Sequence, residues 1–467
     1  MYKKLTVNDN LVKIMERYFL IFILLQPFLD LTSYAGWSIS ELVRALTIGI
    51  GFIYLLSVYR KYKFAKYATN YFIVLCVFML IHFLINYFLK EPYSLSSEVV
   101  YIVKTVYFIS MLLVYTTLFY SLNKSTKWRT KVQKYFFICL NIIAIVMVLA
   151  SITETGKRSY KSLSKEGHSG WFFSANDLST LLAVAACVAL IYILNQRKLK
   201  NSLYLSLSFF IISLSMLIIG TKVGIGALFI MLGIALVWAV IEGILFSKGW
   251  KKLITLVSVS LSVLIIVPFT PAAQNLSLYD LVVSVNTDKS KSSKPDENSL
   301  ANEDNNEEPE EDTQKPDNST REEEKINVLS GRGHYLDKKI NQYQDAPVSQ
   351  KIFGMGYGGN YTKNPKQVEM DFLDYFFTYG LLGFILLVSP LIGYTFKIIQ
   401  MLIKRRFKIL DLEIILLGVA VSLGLGVAFL AGHVLTSPAS SIYLAIVFSY
   451  LLILVYSRST NEDINPS

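Results

Sequence analysis

Apolar runs of about twenty residues, separated by short polar and basic stretches, recur along almost the whole chain. After a polar and basic opening from Met1 to Arg17, the first apolar run carries Gln26, Pro27 and Asp30. Others fall at about 39 to 58, 69 to 89, 99 to 121, 133 to 153, 177 to 194, 203 to 220, 223 to 246 and 253 to 271. Three more lie at about 372 to 396, 412 to 431 and 439 to 456. About 20 apolar residues in a helix cross a hydrocarbon layer about 30 Å thick. The pattern therefore predicts an all-α polytopic membrane protein of about twelve transmembrane helices. No small-residue cleavage site follows the first run, so it is expected to remain as the first span.

One long polar interval divides the chain into a membrane domain at 1–271 with nine helices, a large loop at 272–368, and a membrane domain with a tail at 369–467 with three helices. Within the loop, 287–324 is Asn, Glu, Asp, Ser, Lys and Pro with almost no apolar residue, and is expected to be a disordered acidic insertion without chemistry. The part at 326–368 is expected to be ordered. Tyr335, Ile340 and Tyr343 recur at a spacing that suits a short amphipathic helix lying over the bundle. Gly354, Gly356, Gly358 and Gly359 follow no strand and lead into no GK[ST] sequence, so they read as a flexible turn rather than a phosphate loop.

Composition agrees with a lipid-embedded chain: 53% of the 467 residues are hydrophobic and 17% charged, with a mean hydropathy of +0.46. The net charge of +11 would suggest nucleic acid in a soluble protein. Here Lys and Arg concentrate in alternate short loops, as in Arg60, Lys61, Lys63 and Lys66, or Lys404, Arg405, Arg406 and Lys408, which is an orientation signal. It places both termini in the cytoplasm and the long loop outside, and sets nucleic acid aside. Cys76, Cys139 and Cys187 lie within apolar runs without metal-binding spacing, so they read as packing residues and no metal site is indicated.

Ionisable groups near lipid are expensive and usually face a cavity or a partner. Arg44 is placed to pair with Asp30 or Glu41, or to bind substrate; Lys104 reads as a structural partner. Lys222, in GTKVGIGAL at the outer turn between two helices, either snorkels to headgroups or serves the site. His433, in AGHVLTSPAS, is either a packed residue or a site group. The outer loop from Glu154 to Asn176 carries Lys157, Arg158, Lys161, Lys165 and His168, against the positive-inside tendency. Such a loop suits anionic lipid headgroups or a bound pyrophosphate.

The stretch Ser330 to Gly383 gathers the rest: Arg332 and His334, the glycine cluster, and Glu369, Asp371 and Asp374 before an apolar helix. If a helix already runs at 369, Glu369 and Asp371 lie about 200° apart while Asp371 and Asp374 share a face. The carboxylates also suit the positive end of a helix.

Three local patterns resemble the O-antigen ligase and Wzy-type polysaccharide polymerase family, as found in Gram-positive capsule, teichuronic-acid or exopolysaccharide loci. They are WFFSANDLSTLLA from Trp171 to Ala183, the GTKVGIGAL turn, and the order Arg332, Gly354 and Gly356, Gly380 and Gly383. Glu369 stands where that family commonly has His. The resemblance implies a GT-C-like membrane glycosyltransferase acting at the outer face of the plasma membrane. Its donor and acceptor would be undecaprenyl-pyrophosphate-linked glycans, with neither cofactor nor metal, and a flippase and a chain-length regulator as pathway partners. Glu369, Arg332 and Lys222 would then be catalytic, and Arg158, His168, Asn176, Arg44, Asp371, His334 and His433 would bind substrate. A polymerase is the expected activity and a ligase of the same family the alternative. A lipid-linked glycan flippase, which would show internal repeats and midplane charges, is the reading from another class.

Overall fold

The computed structural model describes residues 9–461 except 124, 126, 161–164, 247–248, 277–331 and 362–364. The acidic tract expected at 287–324 lies outside the described residues. Nine long helices precede it: α1 (Asp9–Tyr34), α2 (Ile39–Val58), α3 (Lys63–Leu89), α4 (Leu95–Leu122), α5 (Lys127–Ile152), α6 (Ala175–Leu194), α7 (Leu199–Ile218), α8 (Lys222–Phe246) and α9 (Trp250–Ile266). After it come two short helices, α10 (Arg332–Asp345) and α11 (Val348–Phe353). Three long ones complete the chain: α12 (Asp371–Lys404), α13 (Leu412–Leu430) and α14 (Pro438–Asn461).

Eleven described helices are long and apolar enough to cross a membrane, and α1 adds 26 residues whose first three turns carry Asp9, Lys13, Glu16 and Arg17. The protein is an all-helical polytopic membrane protein. Helices satisfy every backbone group within one segment, which is what a hydrocarbon environment demands. The centre of the bundle is α4, α6 and α14: 72%, 89% and 89% of their apolar windows are buried, against 28–50% for the others. α14 lies along both α4 and α6. With no water to drive apolar faces together, close packing and interhelical hydrogen bonds hold such helices. Thr116 on α4 donates to Ser449 Oγ on α14 at 2.9 Å, and Ser449 donates back to the Leu112 carbonyl at 3.0 Å.

The connections at 35–38, 90–94, 153–174 and 431–437 share one face of the bundle with α10, α11 and the starts of α6, α8, α12 and α14; we call it the loop face. α10 is the expected amphipathic helix. Leu336 and Tyr343 pack against a cluster of Ala346, Met355, Val368, Met370 and Phe377, while Tyr335 and Ile340 remain 39% and 38% exposed. The glycine turn after α11 is held rather than loose. Asn86 Nδ2 donates to the Gly354 carbonyl at 3.1 Å, Lys90 Nζ to the Tyr357 carbonyl at 2.6 Å, and Lys339 Nζ to the Gly358 carbonyl. The Glu98 carboxylate accepts from the Tyr357 amide at 2.9 Å and from Lys90. Glycine is needed here because Gly354 has φ +94 and a Cβ on it would stand 1.9 Å from the Thr378 carbonyl oxygen.

That approach is met by a break in α12. Gly380 has φ 67 and ψ −172, which interrupts the helix. The Phe377 and Thr378 carbonyls are taken up by the Met355 and Gly356 amides, both at 3.0 Å. The first two turns of α12 are thereby tied to the glycine turn.

Candidate functional site

The loop face is assembled around two buried carboxylates at the start of α12. Asp371, 1% exposed, accepts from the amides of His433 (3.0 Å), Val434 (2.8 Å) and Leu435 (2.8 Å) and from Thr436 Oγ1 (3.1 Å). Asp374, 4% exposed, accepts from the amides of Val368 (2.8 Å), Glu369 (3.1 Å) and Met370 (3.2 Å). Acceptor-only carboxylates suit clustered N–H donors at a helix start. Asp371 fixes the loop 431–437, and Asp374 fixes the segment entering α12. The two segments touch, since a Cβ on Gly432 would stand 2.4 Å from the Glu369 carbonyl oxygen. Asp371, expected to bind substrate, instead spends both oxygens on this clasp.

The clasp presents a charged rim. α12 begins at Asp371, so Glu369 precedes the helix, with φ 66, and the helical-wheel relation between Glu369 and Asp371 does not apply. Its Oε1 accepts from Lys366 Nζ at 2.9 Å, and its Oε2 lies 3.9 Å from Arg332 Nη2. Arg332 Nη2 also donates to the Ala431 carbonyl at 3.3 Å, and Lys366 Nζ lies 5.1 Å from the centre of the Tyr335 ring. Partial burial raises the Glu369 pKa, but Lys366, with His433 and Arg332, more than offsets this and holds the carboxyl below its usual range. The hydrogen bond to Glu369 in turn raises Lys366. Beneath the rim, burial lowers Lys339 to about 8.

Beside the rim a cavity of about 790 Å³ opens among α1, α2, α4, α6 and the loop 431–437. Its walls include Trp37, Phe172 and Phe173; its polar groups include Arg44, Lys104, Asp177 and His433. Arg44 donates to Asp30 Oδ1 at 2.5 Å and to Gln26 Oε1 at 3.3 Å, so of the two expected partners it takes Asp30. His433, with φ 58, both lines the cavity and influences Glu369. On the other side of the same loop, an apolar groove of about 740 Å³ runs along α13 from Leu410 to Ala431, between α8 and α12. At 1.5 Å per residue that is about 30 Å, the hydrocarbon thickness of a bilayer.

Other expected site residues are dispersed. Lys222 is exposed at the start of α8 and belongs neither to the cavity wall nor to the ion pairs of Glu369; its neighbour Val223 borders the apolar groove. Arg158 and His168 build the loop before α6. Arg158 Nη2 donates to the Lys165 carbonyl at 3.3 Å. His168 Nδ1 accepts from the Gly170 amide at 3.0 Å, and Nε2 meets Ser151 Oγ at 2.8 Å, with burial lowering the ring pKa. His168 therefore uses both ring nitrogens to fold the loop. Its amide donates to the Ile218 carbonyl at 3.3 Å, and Asn275 joins the Glu166 and Gly220 carbonyls, each at 2.8 Å, which stitches the loop to the α7–α8 turn. Asn176 is exposed in the first turn of α6. The side chain of His334 lies outside the described residues.

Asp177 is the cavity group that reading the sequence passed over. Ser174-Ala-Asn-Asp177 has the spacing of a capping box, in which the acid bonds back to the cap residue. Ser174 Oγ does accept from the Asp177 amide at 3.3 Å, but the Asp177 side chain turns to the loop before α14 and accepts from Ser437 Oγ at 2.8 Å. Lys366 was also passed over. Its signal was its place three residues before Glu369.

A family model described as "O-antigen ligase like membrane protein" matches residues 13–457, from the first turns of α1 to the last turns of α14. No curated protein matches the chain. The match takes in the long helices, the rim and the cavity together, and the chain belongs to the O-antigen ligase-like family of membrane proteins, whose members transfer glycans.

Proposed function

We propose that this protein joins lipid-linked oligosaccharide units at the outer face of the plasma membrane, taking the glycan from a polyprenyl (undecaprenyl) pyrophosphate. The observation that carries this reading is the placement of the Arg332–Glu369–Lys366 rim where a bilayer-long apolar groove and a cavity that mixes apolar walls with charged groups meet at one loop. The groove suits an isoprenoid tail, which would bring its headgroup to Ala431 and the rim. Arg332 and Lys366 then face the pyrophosphate, and Glu369 orients them.

In the reaction, the oxygen of an acceptor hydroxyl bonds to the anomeric carbon, and the bond from that carbon to the pyrophosphate oxygen breaks. The electron pair stays on the pyrophosphate, which takes up the displaced proton. Negative charge grows on the leaving group, so cations fixed in advance stabilise the transition state more than the ground state. A guanidinium held by Glu369 and by a backbone carbonyl is oriented before substrate arrives. Lys222 and Arg158 act outside this centre, at the headgroup layer.

The test is a liposome assay with a polyprenyl-pyrophosphate-linked oligosaccharide, following product size on a gel. A ladder of products that falls at least 100-fold in Arg332→Ala and at least 10-fold in Glu369→Gln is expected. One transfer to a separate acceptor would make the enzyme a ligase; movement of the labelled donor between leaflets without a new glycosidic bond would overturn the reading in favour of transport.

A further inference from the structure

The cavity beside the rim has a chemical character of its own. Arg44 and Tyr107 interact with each other, while Asp177 Oδ1 is shielded from bulk water and has no hydrogen-bond partner among the described residues. All three residues belong to the cavity wall. A buried polar atom left unmatched costs about 1–3 kcal/mol. The Asp177 oxygen, as part of a carboxylate, only accepts. A sugar hydroxyl, which donates, complements it. The cavity mouth adds Trp37 and Phe173, 61% and 68% exposed; Lys157 Nζ covers one face of Phe173 at 4.2 Å, and the faces left open suit the C–H face of a pyranose ring.

Charge narrows the ligand further. Arg44 is already neutralised by Asp30 at 2.5 Å. Among the lining residues, Arg44 and Lys104 stand against Asp30, Glu41 and Asp177, a formal balance of −1 with His433 neutral. Low-dielectric walls strengthen such a balance. With Lys157 Nζ 4.2 Å from the Phe173 ring bringing the count to about zero, the cavity has no surplus positive charge to offset desolvation of a pyrophosphate, a uronic acid or a phosphorylated sugar, whereas a hydroxyl-rich or N-acetylated sugar needs none.

Building on the function proposed above, we infer that this cavity binds the terminal sugar of the acceptor glycan, and that it selects an uncharged hexose or N-acetylhexosamine. Asp177 accepts a hydrogen bond from one of its hydroxyls, and Trp37 and Phe173 form its stacking surface. His433, on the wall and close to Glu369, marks the side from which the donor is approached. The rim takes the anionic end of the donor, and the cavity takes the neutral acceptor.

The test is saturation-transfer NMR on the full-length protein in detergent, without lipid-linked donor. The probes are glucose, galactose, N-acetylglucosamine, glucuronic acid and, by competition, inorganic pyrophosphate. Saturable binding of at least one uncharged sugar is expected, weakened at least fivefold in Asp177→Asn and in Trp37→Ala, with glucuronic acid binding at least fivefold more weakly than glucose. Trp37 is exposed, so its replacement tests binding without endangering the fold. Unchanged affinities in both variants, no uncharged sugar bound, or tighter binding of glucuronic acid or pyrophosphate at this cavity would overturn the inference. The assay uses no donor, so failure of glycan transfer in liposomes would leave a positive binding result standing, and the converse also holds.

Discussion

The Asp371 carboxylate accepts from the Leu435 amide at 2.8 Å across 64 residues of chain, and this bond joins the start of α12 to the loop that ends at α14. Three further donors converge on the same carboxylate. Replacing Asp371 with Asn puts an amide NH₂ where an acceptor is needed and strands at least one buried donor, at about 1–3 kcal/mol. Thermal unfolding in detergent should show Asp371→Asn destabilised by at least that amount, with glycan transfer lost. An unfolding midpoint equal to wild type would mean that loop 431–437 stands without the clasp.

Gly380 has φ 67 with ψ −172, a region essentially reserved for glycine, and a Cβ there would stand 2.5 Å from the Gly354 amide nitrogen. Gly380→Ala should cost about 1–3 kcal/mol from backbone strain alone. Gly393, in the same helix, has nothing within 4 Å of a built Cβ, and Gly393→Ala should be neutral or gain up to about 1 kcal/mol. Similar midpoints for the two variants would contradict the role given to the break.

Lys90 and Glu98 form a buried ion pair under the glycine turn, with side chains 1% and 4% exposed. Burial lowers Lys90, partly offset by Glu98. Removing one partner strands the other charge, a loss of about 3–5 kcal/mol. A Lys90→Met, Glu98→Leu double variant should be more stable than the sum of the two single losses by at least about 1 kcal/mol. Strict additivity in chemical unfolding would show that the pair does not act as a unit.

Glu369 has a folded pKa below that of an exposed carboxyl, about 4.3 in the unfolded chain. Its contribution to stability is therefore fully present above pH about 4.3 and is lost as the pH falls through the lowered folded value. Comparing wild type with Glu369→Gln across pH 3 to 7, the difference in unfolding midpoint should be constant above that value and shrink below it. A difference that grows on acidification would reverse the sign and sink the ion-pair account.

The helices were legible because a spanning helix must be apolar over about 20 residues, and little else in a sequence looks like that. α10 was legible from Tyr335, Ile340 and Tyr343, of which Tyr343 packs inward on Phe376 and Phe377. Pairing of Arg44 with Asp30 was within reach, because both lie about one turn below the same end of adjoining helices. The lateral arrangement of the bundle was not legible. Lys222, Arg158 and Arg332 all sit on the loop face, yet position along the chain carries no information about which helix stands beside which. Asp177 was hidden for a local reason, because its spacing from Ser174 already had a sufficient explanation as a cap.

The cavity wall draws on α1, α2, α4 and α6, and it is completed by His433, Thr436, Ser437, Pro438 and Ala439. During synthesis the first contributors emerge early, while the last arrive only after α13. A nascent chain halted after α9 would hold most of the transmembrane helices but neither the rim nor the closed cavity. Completion of the rim and of the cavity wall therefore waits on the last three long helices and the segments just before them.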